Sequence, residues 1–191
     1  MPFDVQSVPI EGLKVFKPRV FRDARGWFLE SYSQRDLAAV GLNETFVQDN
    51  LAFSTRGALR GLHFQAGASA QAKLVTVLIG TAWDVAVDLR VGSPTYGQWF
   101  GLELNDEDPT LFYVPVGFAH GYAVLSDTCL FAYKCSQYYD KSAEGGLLWS
   151  SPELAIDWKL TDPILSDKDR LYPTLTDLVS PFVFSPEAHL V

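Results

Sequence analysis

The chain has 191 residues, close to half of them hydrophobic and a fifth charged, which suits one folded domain (residues 1–191) with a sizeable core. Its 23 acidic residues outnumber 15 basic ones, for a formal net charge of −8. That balance excludes general nucleic-acid or anionic-membrane binding, which needs a basic surface, but leaves room for a small phosphorylated ligand held by a few clustered arginines.

Residues 1–20 carry Pro2, Pro9 and Pro18 between short apolar runs, a density that suits edge strands and connections. An arm of this kind can pair with a neighbouring subunit's sheet. No basic region followed by an apolar run opens the chain, and no apolar stretch reaches the length of a membrane span, so a cytoplasmic location is expected. Residues 21–30 read as a turn into a strand. Residues 33–40 predict a helix, with Ser33 as its cap and Gly41 just past its end.

From residue 45 to 138 the pattern is almost entirely strand. Trp83, Val85, Val87 and Leu89 alternate with Asp84, Ala86, Asp88 and Arg90, a period of two. Cys129 and Cys135 fall on one face of a single strand, about 20 Å apart at roughly 3.3 Å per residue, and read as two reduced thiols. After about residue 140 the alternation fades, and the tail reads as loops and short helical turns packed on a barrel. Many short strands with Gly/Pro turns make the fold class all-β, a sandwich or barrel.

The chemistry-bearing residues gather in Arg60-Gly61-Leu62-His63-Phe64-Gln65 and Gln71-Ala72-Lys73-Leu74-Val75. Gly61 permits a bulge or a close backbone approach. Simple alternation puts His63 and Gln65 on one face, with Arg60, Leu62 and Phe64 on the other. In the strand that follows, Lys73, Val75, Val77 and Ile79 share a side. An imidazole near an ammonium suits proton abstraction beside a carbonyl: the ring takes the proton and the cation holds the developing enolate. An ordinary strand with a satisfied core histidine is the alternative.

Pro115-Val116-Gly117-Phe118-Ala119-His120 is similar to half of the cupin signature, which suggests a double-sheet jelly roll. Where metal-binding cupins carry a His-x-His pair, this chain reads His63-Phe64-Gln65. Two histidines without a third nitrogen or a placed carboxylate make a poor transition-metal site, so no metal is expected. His189 has no patterned partner.

Further motifs follow in order: Asp84-Val85-Ala86-Val87-Asp88-Leu89-Arg90, Gly117-Phe118-Ala119-His120-Gly121, Tyr133-Lys134-Cys135 and Leu165-Ser166-Asp167-Lys168-Asp169. With the two central runs, this order and spacing resemble the dTDP-4-dehydrorhamnose 3,5-epimerase family over roughly residues 5–175. The resemblance implies a cofactor-free, metal-free cupin jelly roll. It also implies a homodimer with exchanged N-terminal arms and epimerisation at C3 and C5 of a dTDP-4-keto-6-deoxyhexose. His63 matches the family's general base, Asp169 the carboxylate paired with it, Tyr133 the opposing acid and Lys73 the enolate stabiliser.

By the same resemblance Arg25 and Arg60 match pyrophosphate contacts, and Phe28 and Glu30 match residues at the nucleotide. Gln48 and Asn50 match polar groups of the pocket, and His120 a second histidine near the sugar. Tyr139, with Glu144 nearby, matches the tyrosine stacking on the base, although adjacent Tyr138 leaves that register open. Read alone, Tyr133 suits a buried core tyrosine, Asp169 a turn residue, and Arg25 with Glu30 a surface ion pair. Members acting at one carbon keep most of these residues, so a single-centre epimerase is the alternative within the family. A nucleotide-sugar binding module is the alternative outside enzymes.

Overall fold

The computed structural model describes residues 3–185, so His189 lies outside the described residues. The period-two stretches become strands: β1 (Phe3–Gln6), β2 (Lys14–Pro18), β3 (Val20–Asp23), β4 (Gly26–Leu29), β5 (Gln48–Thr55), β6 (Leu59–Gln65) and β7 (Lys73–Ile79). They continue through β8 (Thr81–Asp88), β9 (Trp99–Asn105), β10 (Leu111–Val114), β11 (Phe118–Val124), β12 (Thr128–Cys135) and β13 (Glu144–Gly146). A helix, α1 (Gln34–Ala39), starts where Ser33 accepts the Asp36 N–H and stops before Gly41 at φ +84°.

Two larger sheets face each other as a double-sheet jelly roll. One runs β1-β2-β10-β7-β12-β5 and the other β13-β6-β11-β8-β9, while β3 and β4 form a separate hairpin. Val75, Val77, Phe112, Phe118 and Phe131 fill the space between the sheets. Fully burying an aromatic or branched side chain there contributes about 1.5–3 kcal/mol each. The N-terminal arm belongs to the first sheet: β1 pairs with β2, and β2 with β10, within the chain. Cys129 and Cys135 are both buried free thiols on β12.

The tail packs as loops, short 3-10 turns at Lys141–Ala143 and Lys168–Arg170, and β13. Its Leu147, Leu154, Trp158 and Phe182 cover Val85, Val87 and Leu89 on the outer face of the second sheet. That cover changes the meaning of β8, whose alternation suggests one wet face. Asp84 and Asp88 are instead fully buried. Each is satisfied: Asp88 accepts from Arg90, Ser93 and Thr95, and Asp84 meets His120. On β7, a register shift opposite Leu130 and Phe131 turns Ile79 out to solvent, away from the face of Lys73, Val75 and Val77.

Candidate active site

A cavity of about 780 Å³ lies between the sheets. Its walls include His63, Arg60, Lys73, His120, Tyr133, Asp169, Gln48, Asn50, Tyr139 and Glu144. Tyr139 lines it, whereas Tyr138 is two-thirds exposed and does not.

Arg60 joins His63 on this face, against the simple alternation. His63 pairs with His120, and Arg60 with Tyr122, so three steps on β6 span two on β11. Such a bulge reverses the phase of every side chain beyond it. Gly61 makes the bulge possible. It adopts φ +135°, and a Cβ there would sit 2.5 Å from the Cα of Gly121.

The deepest chemistry is a pair of histidine–carboxylate contacts. His63 Nε2 lies 2.5 Å from Asp169 Oδ1, whose side chain is almost wholly buried. Burial opposes ionisation of Asp169, but the His63 contact holds the carboxyl below its usual range. An ionised carboxylate accepts, so His63 carries its hydrogen on Nε2 and keeps the lone pair of Nδ1 as the basic atom. Ser166 Oγ accepts the backbone N–H of Asp169 and fixes the turn that presents it. Tyr172 packs edge-on against the His63 ring at 5.7 Å between centroids.

His120 Nε2 lies 2.9 and 3.0 Å from the two oxygens of Asp84. Burial lowers the pKa of His120 and outweighs the Asp84 charge, with Lys73 and His63 pushing the same way as burial. Burial likewise lowers the pKa of Lys73, against the opposing charges of Asp84 and Glu144. Tyr133 stands on β12, in the sheet opposite His63, and burial raises its phenol pKa, so it carries its proton at neutral pH.

Nearer solvent, Glu144 accepts from the hydroxyls of Tyr139 at 2.7 Å and Tyr172 at 2.9 Å and pairs with Lys168. Burial opposes its charge, yet these donors hold the carboxyl at about 2. Gln48 donates to Asn50 at 3.1 Å and accepts the Tyr139 backbone N–H at 3.0 Å. Among the described residues, no group of three or more His, Cys, Asp and Glu side chains converges as metal ligands would.

Three of the sequence candidates stand elsewhere. Arg25, Phe28 and Glu30 are exposed at the β3–β4 hairpin and its end, and none lines the cavity within one chain. Arg25 is bound by its neighbour Asp23 at 2.5 Å rather than by Glu30. Phe28 is 64% exposed beside Phe21 and Trp27, which are also open to solvent.

The family model described as dTDP-4-dehydrorhamnose 3,5-epimerase matches residues 7–177. The chain belongs to the dTDP-4-dehydrorhamnose 3,5-epimerase family. It is 51% identical to the Pseudomonas aeruginosa enzyme of that name over 158 residues, covering 82% of this chain and 87% of that one. A Legionella pneumophila epimerase crystallised with dTDP-4-keto-L-rhamnose superposes with a TM-score of 0.91 at 42% identity, covering 96% and 99% of the two chains. A dTDP-4-dehydrorhamnose 3-epimerase of Streptomyces niveus is 43% identical, covering 87% and 81%.

For this epimerase-family chain, sequence reasoning passed over four residues that touch the site or its members: Asp84, Lys168, Tyr172 and Tyr122. Asp84 had a signal, an acid on a strand that leads straight into an apolar run. Lys168 lies inside the motif that supplies Asp169. Tyr172 had none, because its contact with Glu144 joins positions 28 residues apart.

Proposed function

We propose that the chain is a cofactor-free epimerase that inverts C3 and C5 of dTDP-4-dehydro-6-deoxy-D-glucose to give dTDP-4-dehydro-L-rhamnose. The observation that carries this reading is the placement of His63 and Tyr133 on facing sheets across one cavity. Inversion needs a base on one side of a carbon and an acid on the other, and this arrangement supplies both.

The C4 ketone acidifies the hydrogens on C3 and C5. His63 Nδ1 takes the proton, the C–H electron pair becomes the C=C bond of the enolate, and the carbonyl oxygen takes the negative charge. The Lys73 ammonium stabilises that oxygen. The Tyr133 hydroxyl then gives its proton to the opposite face of the carbon. Solvent removes the proton from His63 and restores the one on Tyr133, and the same cycle serves the second carbon. Asp169 holds His63 in the basic tautomer and stabilises the imidazolium it becomes. His120, neutral and anchored by Asp84, offers its other nitrogen to the sugar.

Arg60 binds the pyrophosphate, Gln48 and Asn50 line the sugar and nucleotide pocket, and Tyr139, steadied by Glu144, stacks on thymine. The active unit is a homodimer, in which the partner's hairpin brings Arg25 to the pyrophosphate and Phe28 and Glu30 to the nucleotide. The exposed Phe21, Trp27 and Phe28 of the hairpin, and Leu51 and Phe53 on the outer face of β5, support this reading, because contiguous exposed apolar surface marks contact sites. Exchange of the arm 1–20 between protomers would preserve the β1–β2–β10 pairs that the single chain makes. Two buried free thiols fit a cytoplasmic location. No helix among the described residues is long and apolar enough to cross a membrane.

The test is incubation in D₂O with the dTDP-4-keto-6-deoxyhexose, following the C3 and C5 proton signals by NMR beside His63→Ala. Loss of both signals, abolished in the variant, is expected. Exchange at one carbon alone would select a single-centre epimerase, the reading favoured by likeness to the Streptomyces niveus enzyme. Binding without exchange would make the chain a nucleotide-sugar binding module.

A further inference from the structure

Asp169 holds His63 at one nitrogen, and the His63 side chain is 28% exposed. A hydrogen bond to one atom of a flat ring places that atom and leaves the plane of the ring to be set by packing. The packing comes from behind the cavity. Tyr172 does not line the cavity, yet its ring meets the His63 ring with centroids 5.7 Å apart and planes at 65°, an edge-on arrangement that aromatic pairs favour. The Tyr172 ring has little freedom of its own. A Cβ on Gly146 would come 2.5 Å from its Cε2 and Cζ, so the ring lies against bare backbone. Gly146 is also the residue of β13 opposite His63 on β6. The far end is pinned too: the hydroxyl donates to Glu144 Oε1 at 2.9 Å. Burial and the Glu144 contact both raise the Tyr172 pKa, so the hydroxyl keeps that proton at neutral pH.

Two constraints of different kinds therefore act on the base. Asp169 decides which nitrogen carries the hydrogen, and the Tyr172 ring decides the plane in which the Nδ1 lone pair points. We infer that Tyr172 is a positioning residue for His63, its ring fixing the imidazole plane and its hydroxyl fixing that ring through Glu144. The inference rests on the epimerase reading for the role of His63 as base. The same carboxylate accepts the Tyr139 hydroxyl on its other oxygen, so the two ends of Tyr172 serve different parts of the site. Loss of the ring reaches kcat through His63, whereas loss of the hydroxyl reaches KM through Glu144 and Tyr139. A residue that merely filled space would lower the unfolding temperature and move neither.

The experiment compares Tyr172→Leu, which removes the ring, with Tyr172→Phe, which keeps it. Steady-state kinetics on the keto-sugar separate kcat from KM. ¹⁵N NMR of the unliganded, histidine-labelled protein, at a pH where the ring is neutral, reads the His63 tautomer, and thermal unfolding checks the fold. Tyr172→Leu is expected to lower kcat by about ten- to a hundredfold, the cost of a misplacement of about 1 Å at a reacting group. Its His63 signals should move from one tautomer toward the average of two, as the ring turns away from Asp169. Tyr172→Phe should keep kcat within about twofold and the single tautomer, with KM raised about threefold. A single tautomer or an unchanged kcat in Tyr172→Leu would overturn the inference. So would a loss of kcat in Tyr172→Phe as large as in Tyr172→Leu, which would place the effect in the hydroxyl. If Tyr172→Leu does not fold, Gly146→Ala displaces the same ring from its other side and must show the same fall in kcat and the same averaging. If the parent protein does not turn over the keto-sugar, the epimerase reading fails while the tautomer measurement still decides whether Tyr172 positions His63.

Discussion

Tyr133→Phe separates two events that the wild-type reaction couples. The variant removes one oxygen and keeps the ring that packs beside Phe131 at 6.2 Å between centroids. His63, Asp169 and Lys73 are untouched, so deprotonation and enolate formation should continue. The enolate then lacks a donor on the face away from His63. His63 itself can return a proton, but to the face it came from, after exchanging it with solvent. The expected product in D₂O is therefore substrate deuterated at the acidic carbons with its configuration retained.

The magnitude follows from the role. A placed general acid supplies roughly 10²–10⁴-fold, so inversion should fall by about that factor while wash-in of deuterium falls far less. Burial raises the Tyr133 pKa, so the hydroxyl carries the proton to be donated at neutral pH. The assay is NMR of recovered sugar, scoring deuterium content and ring coupling constants in the same sample. Inversion that stays within about tenfold of wild type would refute the assignment of Tyr133. Loss of exchange and inversion together would show that Tyr133 acts before protonation, in forming the enolate.

Asp169→Asn removes the charge that fixes the His63 tautomer; kcat should fall by roughly 10²–10⁴-fold with KM little changed, and a change below about fivefold in steady-state kinetics would argue against the dyad. Gly61→Ala should destabilise the protein by about 2 kcal/mol or more in urea denaturation, because φ +135° and a Cβ 2.5 Å from Gly121 Cα leave no room for the methyl. Glu144 is held near 2 in the fold against 4.5 when free, so its stabilising contribution is complete above about 4.5 and lost as the pH falls toward 2. Urea midpoints measured down through that window should decline less steeply in Glu144→Gln. Mixing inactive His63→Ala with inactive Arg25→Ala should restore activity toward about a quarter of wild type, since random exchange makes half the dimers mixed and each mixed dimer holds one intact site. No recovery after subunit exchange would refute a hairpin acting on the partner's cavity.

The strands, the jelly roll and the cap and stop of α1 were legible because they depend on local signals: period-two alternation, Gly/Pro turns, and Ser33 with Gly41. The placement of Arg60 was not, since its face is set by a bulge whose cause is the backbone of Gly121 on another strand. Asp84 was hidden for a related reason. Its strand reads as apolar side in and polar side out, whereas the tail covers the apolar side and Asp84 turns with Ala82 and Ala86 toward the space between the sheets. The cavity residues His63, Lys73, Tyr133 and Asp169 were found through the order of several motifs, not through the spacing of any one. Arg25, Phe28 and Glu30 form a group of their own: their motif is plain, but one chain does not carry them to the cavity.

The ionic arrangement of the cavity bears directly on how a ketone becomes an enolate there. Three carboxylates at or behind the cavity wall are each paired: Asp169 with His63, Asp84 with His120, and Glu144, nearer solvent, with Lys168. Lys73 is half-buried in the cavity wall, and burial lowers its pKa against the opposing charges of Asp84 and Glu144. A neutral ketone oxygen offers such an ammonium little. An enolate oxygen offers a full counter-charge in a setting of low dielectric, where the attraction is worth far more than in water. The interaction thus strengthens as the proton leaves carbon, and only interactions that strengthen on the way to the transition state accelerate the step. Had Asp84 turned to Lys73 instead of His120, the lysine would be satisfied before the substrate arrived, and that gain would be spent.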